Sequence, residues 1–403
     1  MPKVVFFAIP AHGHINPTLP IVTGLVSRGE KVIYYTSSAF AAKVAATGAE
    51  LRIVRSRFDR LIEEKAMTMG RNAFWIAARL MEASLELIDP VREELRREKP
   101  DYIVHDAMAI YGRAVSQLLG VPALCTIPGP CLGQGRPADV PLWFALDIVR
   151  QGLVAPREIV RYYSSSRRMC ARYGLSFGWP LKVFFSYEEL SIITTSRLFQ
   201  QLAVSLDPRK FVIAGPLLAR SEEGSFMEGC DAKRKLVYVS LGTVYNKDKS
   251  FFSECFEAFR NSEYRVLVSI GTAIDPESLG EAPSNFTLAP SVPQMQVLRD
   301  ATVFVSHGGM NSLNEALYHG VPLVLVPRAL DQFMNCRIAA NLGAGIWVRR
   351  PSGPNLRTAV DRVVNEPGFK DRARRLSAEI RAEPGIPKAL EAIDEFKRAH
   401  GIV

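Results

Sequence analysis

Short apolar runs alternate with stretches of helical periodicity along nearly the whole chain, and no other feature restricts its fold as much. "KVVFFAI" (3–9), "KVIYYTS" (31–37), "DYIVHD" (101–106), "VPALCTI" (121–127), "SIITTS" (191–196) and "FVIAG" (211–215) read as strands. Between the early runs lie helical patterns: Pro17 to Arg28, closed by Gly29, and a long amphipathic stretch over 72–97 that Pro90 is expected to break. Strands alternating with helices imply a parallel, doubly wound α/β sheet with helices on both faces. Residues 129–186 interrupt the rhythm with prolines, glycines, arginines and aromatics, among them Trp143, Phe144, Tyr162, Tyr163, Phe177 and Trp179.

After a polar, aperiodic segment the alternation starts again, with strands at "KLVYVSLGT", "YRVLVSIG", "NFTLAP", "TVFVS", "PLVLVP" and "GIWV". A chain of 403 residues exceeds one comfortable core, so two α/β domains are expected. The boundaries read as 1–216, a linker over 217–235, a second domain over 236–385 and a charged helix over 386–403 that can pack back on the first domain.

Composition narrows the class. No run approaches the ~20 apolar residues of a membrane span. "VVFFAIPA" is too short and too quickly followed by His12 and His14 to serve as a secretory core, so it reads as a buried first strand. The six cysteines form no C-x-x-C pair and read as reduced, small apolar residues of a cytoplasmic protein. The net charge of +9 fits either an anionic, phosphate-bearing partner or a soluble basic surface. The cations are dispersed and no basic stripe carries interleaved aromatics, so no nucleic-acid partner is expected.

Ligands of open α/β sheets bind at the carboxyl ends of the strands, and "PAHGHINP" follows the first strand. Asn16 suits an N-cap and Pro17 the first helical position, which puts His14 in a tight loop where Gly13 lets the chain turn. No G-x-G-x-x-G fingerprint is present. A neutral imidazole here can act as a general base, best if a carboxylate orients it. Asp106 ends "DYIVHD" at the same edge, and it points to the opposite face from His105. Two readings stay open for His14: a catalytic base, or a hydrogen bond to loop backbone. His12 reads as structural or pocket-lining.

"TVFVSHGGMNSLNEALYHGVPLVLVPRALDQF" (302–333) is the most informative stretch. A strand ends at Ser306, glycines follow, and a helix begins near Asn311. This is an anion site in outline: Gly309 and its neighbour let phosphate oxygens approach, and the helix end offers N–H groups and a positive dipole. Ser312 and His307 add side-chain donors. The competing reading is local, because Ser312-Leu-Asn-Glu315 is also a capping-box pattern that would keep Glu315 in the first turn. Asp331 and Gln332 supply acceptors and an amide that suit vicinal hydroxyls, or simply start a helix.

Taken with "PAHGHINP", "PDYIVHD" and "VSLGT", this stretch resembles the family-1 UDP-glycosyltransferases, in particular their bacterial macrolide-glycosyltransferase-like branch. The resemblance spans nearly the whole chain and is weakest over 55–100 and 129–186. It implies the GT-B fold, two Rossmann-like doubly wound domains facing across a cleft. By the same resemblance, His14 falls on the base that deprotonates the acceptor and Asp106 on its partner. Ser240, Gly242, Thr243, His307, Gly309, Asn311 and Ser312 fall on the diphosphate site, and Glu315 on the ribose contact. Asp331 and Gln332 fall on the contacts to the sugar hydroxyls, and Val292 and Gln294 in the loop that holds the nucleobase. Many relatives carry an aromatic residue where this chain has Ser291, which leaves the choice between UDP and dTDP open.

The reaction expected is direct displacement: an acceptor hydroxyl, deprotonated by His14, attacks the anomeric carbon and inverts it while the nucleoside diphosphate leaves. No D-x-D occurs in the chain, so no metal is expected, and no cofactor beyond the UDP-sugar substrate. The acceptor is expected to be an apolar hydroxylated molecule such as a macrolide, flavonoid or other polyketide, and the protein a monomer or dimer without stable membrane anchoring. A nucleotide-sugar epimerase of the same fold, or a non-catalytic nucleotide-sugar-binding protein, is the alternative.

Overall fold

The strands assemble into two all-parallel sheets. The computed structural model describes residues 1–55, 72–131, 142–201, 206–218, 234–243 and 246–403. They divide into two compact units, Met1–Ala219 with Pro384–Val403, and Arg220–Glu383. Most of the linker proposed from the sequence lies outside the described residues.

In the first unit seven strands are ordered β3-β2-β1-β4-β5-β6-β7. They are β1 (Lys3–Phe7), β2 (Lys31–Thr36), β3 (Glu50–Ile53), β4 (Tyr102–Asp106), β5 (Ala123–Ile127), β6 (Ser191–Ile193) and β7 (Phe211–Ile213), every pair parallel. Edge strand β3 has no long apolar run to announce it. Both faces of the sheet are covered, which is why the central strands read as unbroken apolar runs. Val5, Phe7, Ile33 and Ile103 face a core shared with helices Ala73–Glu98 and Ile110–Leu119. Val4, Phe6, Val32 and Val104 face Ile21, Val22 and Leu25 of helix Leu19–Ser27 and Leu390, Ile393 and Phe396 of helix Ile386–Ala399. The C-terminal helix therefore completes the core of the first unit. Lys397 Nζ, 2.6 Å from Glu30 Oε1, ties it down at the rim.

In the second unit six strands are ordered β10-β9-β8-β11-β12-β13. They are β8 (Leu236–Ser240), β9 (Arg265–Ser269), β10 (Phe286–Ala289), β11 (Val303–Ser306), β12 (Leu323–Leu325) and β13 (Gly345–Trp347), again all parallel. One face packs on Phe251, Phe252 and Phe259 of helix Lys249–Phe259 and on Leu356, Val360 and Val363 of helix Gly353–Asn365. Each sheet reverses its winding direction once, between β1 and β4 and between β8 and β11. The carboxyl ends at such a switch point are where α/β sheets bind ligands.

Two expectations need correction. Helix Ala73–Glu98 runs unbroken through Pro90. The ring faces solvent while Leu87, Ile88, Val91 and Leu95 stay in the core on either side of it, so tertiary packing outweighs the lost backbone bond. Among the described cysteines, Cys125, Cys131, Cys255 and Cys336 are buried and free, but Cys170 is exposed on helix Pro156–Tyr173, a position its neighbours' charge leaves on the outer face. Cys230 lies outside the described residues. No helix among the described residues is long and apolar enough to cross a membrane.

Candidate functional site

The candidate residues fall into two groups, one at the switch point of each sheet. In the first unit the chain leaves β1 and is helical almost at once, over His12–Ile15. Ile15 is fully buried and anchors the turn, and the N–H groups of His14 and Ile15 both donate to Ala11 O. Asn16 is consequently already helical, at φ −51° and ψ −43°, and cannot serve as the N-cap expected of it. Its Oδ1 accepts instead from Lys43 Nζ at 2.9 Å. Thr18 takes the N-cap position of helix Leu19–Ser27, and Pro20 rather than Pro17 lies in the first turn. Gly13 lies inside the short helix without a positive φ, so no special turn depends on it.

This geometry aims His14 at β4. Its Nδ1 lies 2.7 Å from Asp106 Oδ2, and Asp106 is fully buried while His14 keeps 20% of its side chain exposed. Asp106 Oδ1 accepts from the Met108 N–H at 2.8 Å, so both carboxylate oxygens are fixed. A carboxylate accepts at Nδ1 only if that nitrogen carries the proton, which leaves Nε2 as the basic nitrogen. His105 points the other way, with Nε2 3.1 Å from Glu188 Oε1. His12 stands beside the pair: its ring packs edge-on to Phe40 at 4.8 Å and Lys43 Nζ lies 3.2 Å from its Nδ1. Burial, then the Lys43 charge, lowers its pKa.

In the second unit β8 and β11 end side by side, Ser240 opposite Ser306. Each serine turns its chain in the same way: Ser240 Oγ accepts from the Gly242 N–H and Ser306 Oγ from the Gly308 N–H, both at 3.2 Å. The imidazole of His307 fills the space between the two turns. A Cβ on Gly242 would come within 2.5 Å of that ring and one on Gly309 within 2.4 Å, so both glycines are required by the histidine. Gly242 also needs its φ of +75°. Burial pushes the His307 pKa down to about 4, against a hydrogen bond to the Ser240 backbone and assisted by the charge of Arg328. Its Nδ1 is buried without a hydrogen-bond partner among the described residues. Thr243 is exposed at the end of this turn.

Helix Met310–Tyr318 begins beside that ring, with Gly309 at the N-cap and no side chain capping it. The capping-box reading therefore fails. Ser312 is the third helical residue, and Glu315 sits in the second turn rather than the first. Both are gathered by Gln294, whose Nε2 lies 3.2 Å from Ser312 Oγ and 2.6 Å from Glu315 Oε2, while its Oε1 accepts from Tyr238 at 3.0 Å. Gln294 thus organises the wall of the site, and Val292 lies partly buried in the loop before it. Asn311 is the second residue of the helix.

Asp331 and Gln332 open helix Leu330–Asn341, Asp331 exposed and Gln332 buried. Gln332 Oε1 accepts from the N–H groups of Arg328 and Ala329 at 2.8 and 3.1 Å, so the acceptor half of its amide serves the backbone. One turn on, Asn335 Nδ2 donates to Gly308 O at 3.1 Å, which docks this helix against the glycine pair. The sequence reading missed Asn335 and also Asn246, whose Nδ2 donates to Gly242 O at 3.0 Å. The spacing of Asn335 from Gln332 was the available signal, since residues three apart share a helix face.

Known proteins bear on this arrangement. The model of the erythromycin biosynthesis protein CIII-like C-terminal domain matches residues 259–394. An NDP-glycosyltransferase of Bacillus licheniformis is 31% identical over 99% of this chain and 98% of its own. The chain belongs to the NDP-glycosyltransferase family. The oleandomycin glycosyltransferase of Streptomyces antibioticus is 30% identical over 97% of this chain and 90% of its own. The crystal structure of CalG4, the calicheamicin glycosyltransferase, covers 99% of this chain and is itself covered to 98%, with a TM-score of 0.81 at 26% identity. The chain shares with these proteins a pair of Rossmann-like units, each built on a parallel sheet, and its structural neighbours are GT-B glycosyltransferases. The epimerase and non-catalytic alternatives find no support among these relatives.

Proposed function

We propose that the protein transfers glucose from UDP-glucose to a hydroxyl of an apolar natural product, with inversion and without a metal. The observation that carries this reading is the 2.7 Å contact of His14 Nδ1 with buried Asp106 at the first switch point. With Nδ1–H donated to the carboxylate, Nε2 takes the acceptor proton as the acceptor oxygen bonds to the anomeric carbon. Asp106 stabilises the imidazolium that forms. The bond to the nucleoside diphosphate breaks on the opposite side, and the configuration inverts. Charge gathering on the leaving phosphate meets the uncapped start of helix Met310–Tyr318, with Asn311 and Ser312, and the neutral ring of His307. Ser240, Gly242, Gly309 and Thr243 complete the diphosphate cradle. Glu315, held by Gln294, takes the ribose hydroxyls, and Val292 borders the base. Asp331 and the amide N–H groups of Gln332 take the hexose hydroxyls, a set that a deoxy-sugar would leave partly unpaired.

The acceptor class is supported by helix Leu142–Val154. Gln151 Oε1 accepts from the Ala73 N–H at 2.8 Å, holding this helix at the start of Ala73–Glu98, on the carboxyl side of the sheet with His14. Leu142, Leu146, Val149 and Leu153 recur at helical spacing on its outer face and are 59–76% exposed. A continuous apolar stripe of that kind is rare on a surface without a ligand or partner. The test is incubation with labelled UDP-glucose and a dTDP-deoxy-sugar against macrolide, flavonoid and other polyketide acceptors. A glycoside formed with UDP-glucose, of inverted configuration and insensitive to chelator, is expected. Preference for the deoxy-sugar would overturn the donor assignment, and epimer or no product would overturn transfer.

A further inference from the structure

A nearly buried cation stands behind the diphosphate cradle. Arg328 follows β12 by three residues, with only 15% of its side chain exposed, and its Nη1 lies 2.9 Å from Asp248 Oδ2. The guanidinium lies 4.8 Å over the Phe251 ring. Asp248 follows β8, where its Oδ1 accepts from the Phe251 N–H at 3.2 Å and from Ser250 Oγ at 2.6 Å. In the sheet, β11 lies between β8 and β12. The ion pair therefore spans the width of β11 at its carboxyl end, where His307, Gly308 and Gly309 leave the sheet. Val326 N–H donates to Ser306 O at 2.8 Å, which keeps the Arg328 segment against that loop.

A guanidinium so far out of water needs a fixed anion, and Asp248 supplies one. The same surroundings let its charge act over a longer distance than at an open surface. We infer that Arg328 is a fixed counter-charge for the donor diphosphate, held from behind by Asp248. This rests on the diphosphate reading of the His307 loop. Arg328 is a positioning residue here, acting through the loop it braces and through the field it sets up.

The charge role and a purely structural strut predict opposite signs for the two partners. Calorimetry with UDP and UMP on the full chain separates them. Arg328→Gln should weaken UDP roughly tenfold, the effect of one partly screened charge, and UMP by less than about threefold. Arg328→Lys, which keeps the charge, should retain most of the UDP affinity. Asp248→Asn keeps the Oδ1 acceptor that caps its helix but removes the competing anion, so it should tighten UDP about twofold or more. Loss of UDP affinity in Asp248→Asn, an equal loss of UDP and UMP in Arg328→Gln, or unchanged UDP binding in that variant would each overturn the inference. Thermal unfolding of each variant alongside identifies a loss that is only misfolding, and Arg328→Lys then decides. A wild-type protein that binds neither UDP nor dTDP would overturn the diphosphate reading and this inference with it. Wild-type binding with an unaffected Arg328→Gln would sink the inference alone.

Discussion

The Nδ1 of His14 faces the Asp106 carboxylate, and that contact sets the tautomer of the ring. With Asp106 Oδ2 at 2.7 Å from Nδ1, replacing the imidazole should remove the base without disturbing the donor cradle. His14→Ala is expected to lower kcat/KM by ~10²–10⁴-fold while UDP affinity stays within a factor of two. Asp106→Asn should lose less. A fall below tenfold in His14→Ala would show that the proton goes elsewhere. His307 presents the reverse case, a histidine kept neutral. Its folded pKa of about 4 lies below the ~6.5 of an unfolded histidine. Between these values the unfolded chain binds more protons, so stability rises with pH through that window. The contribution is complete above about pH 6.5 and is lost as pH falls toward 4, amounting to roughly 3 kcal/mol at most. His319, pushed down to about 4 by burial and then by Arg381 and Arg299, adds to the same window. Urea unfolding at pH 7, 5.5 and 4.5 should show the wild type losing more stability on acidification than His307→Gln. Equal slopes would mean that His307 is not buried in its neutral form.

Helix Met310–Tyr318 separates two readings that the sequence alone left level. Ser312 and Glu315 have capping-box spacing, but the helix starts at Met310 because Gly309 closes against the His307 ring. Ser312 therefore caps nothing and sits in the first turn with Gln294. Ser312→Ala should cost UDP binding about 1.5–3 kcal/mol, the value of a hydrogen bond to a charged group, and leave the melting temperature nearly unchanged. A lowered melting temperature with unchanged affinity would restore the capping role. The same contrast explains what was legible and what was not. Strands such as Val237–Val239 and Val303–Val305 declare themselves because both their faces are buried. The end of Asp106 at β4 and the helix after His307 followed from strand and glycine positions. Asn16 was misread because its local capping preference lost to the turn that Ile15 anchors. Pro90 was misread because the break it favours is opposed by core contacts of Leu87 and Val91, residues whose partners are distant in sequence. The Arg328–Asp248 pair is of the same kind: only the order of β8, β11 and β12 brings it together.

The two units share one winding plan, yet the chain does not divide between them in sequence order. Pro384–Val403 belongs with Met1–Ala219, so the first unit closes its core with helix Ile386–Ala399, which follows the second unit in sequence. On that helix Ile393 is fully buried and Leu390 and Phe396 nearly so, packed with Ile21, Val22 and Leu25 beneath β1, β2 and β4. Removing most of the Ile393 side chain loses its transfer energy and leaves a cavity, a cost of about 2–5 kcal/mol. That loss is expected in the first unit, because Ile21, Val22 and Leu25, against which Ile393 packs, belong to that unit. Hydrogen exchange resolves the question. In Ile393→Ala the amides of β1, β2 and β4 should exchange faster by the factor that corresponds to the lost stability, while those of β8 and β11 keep their protection. Glu395→Ala, an exposed neighbour on the same helix, should leave both sheets unchanged. Equal loss of protection in the two sheets would mean that the chain unfolds as a single cooperative body. Loss confined to the C-terminal helix itself would mean that it is a dispensable appendage rather than part of the first core.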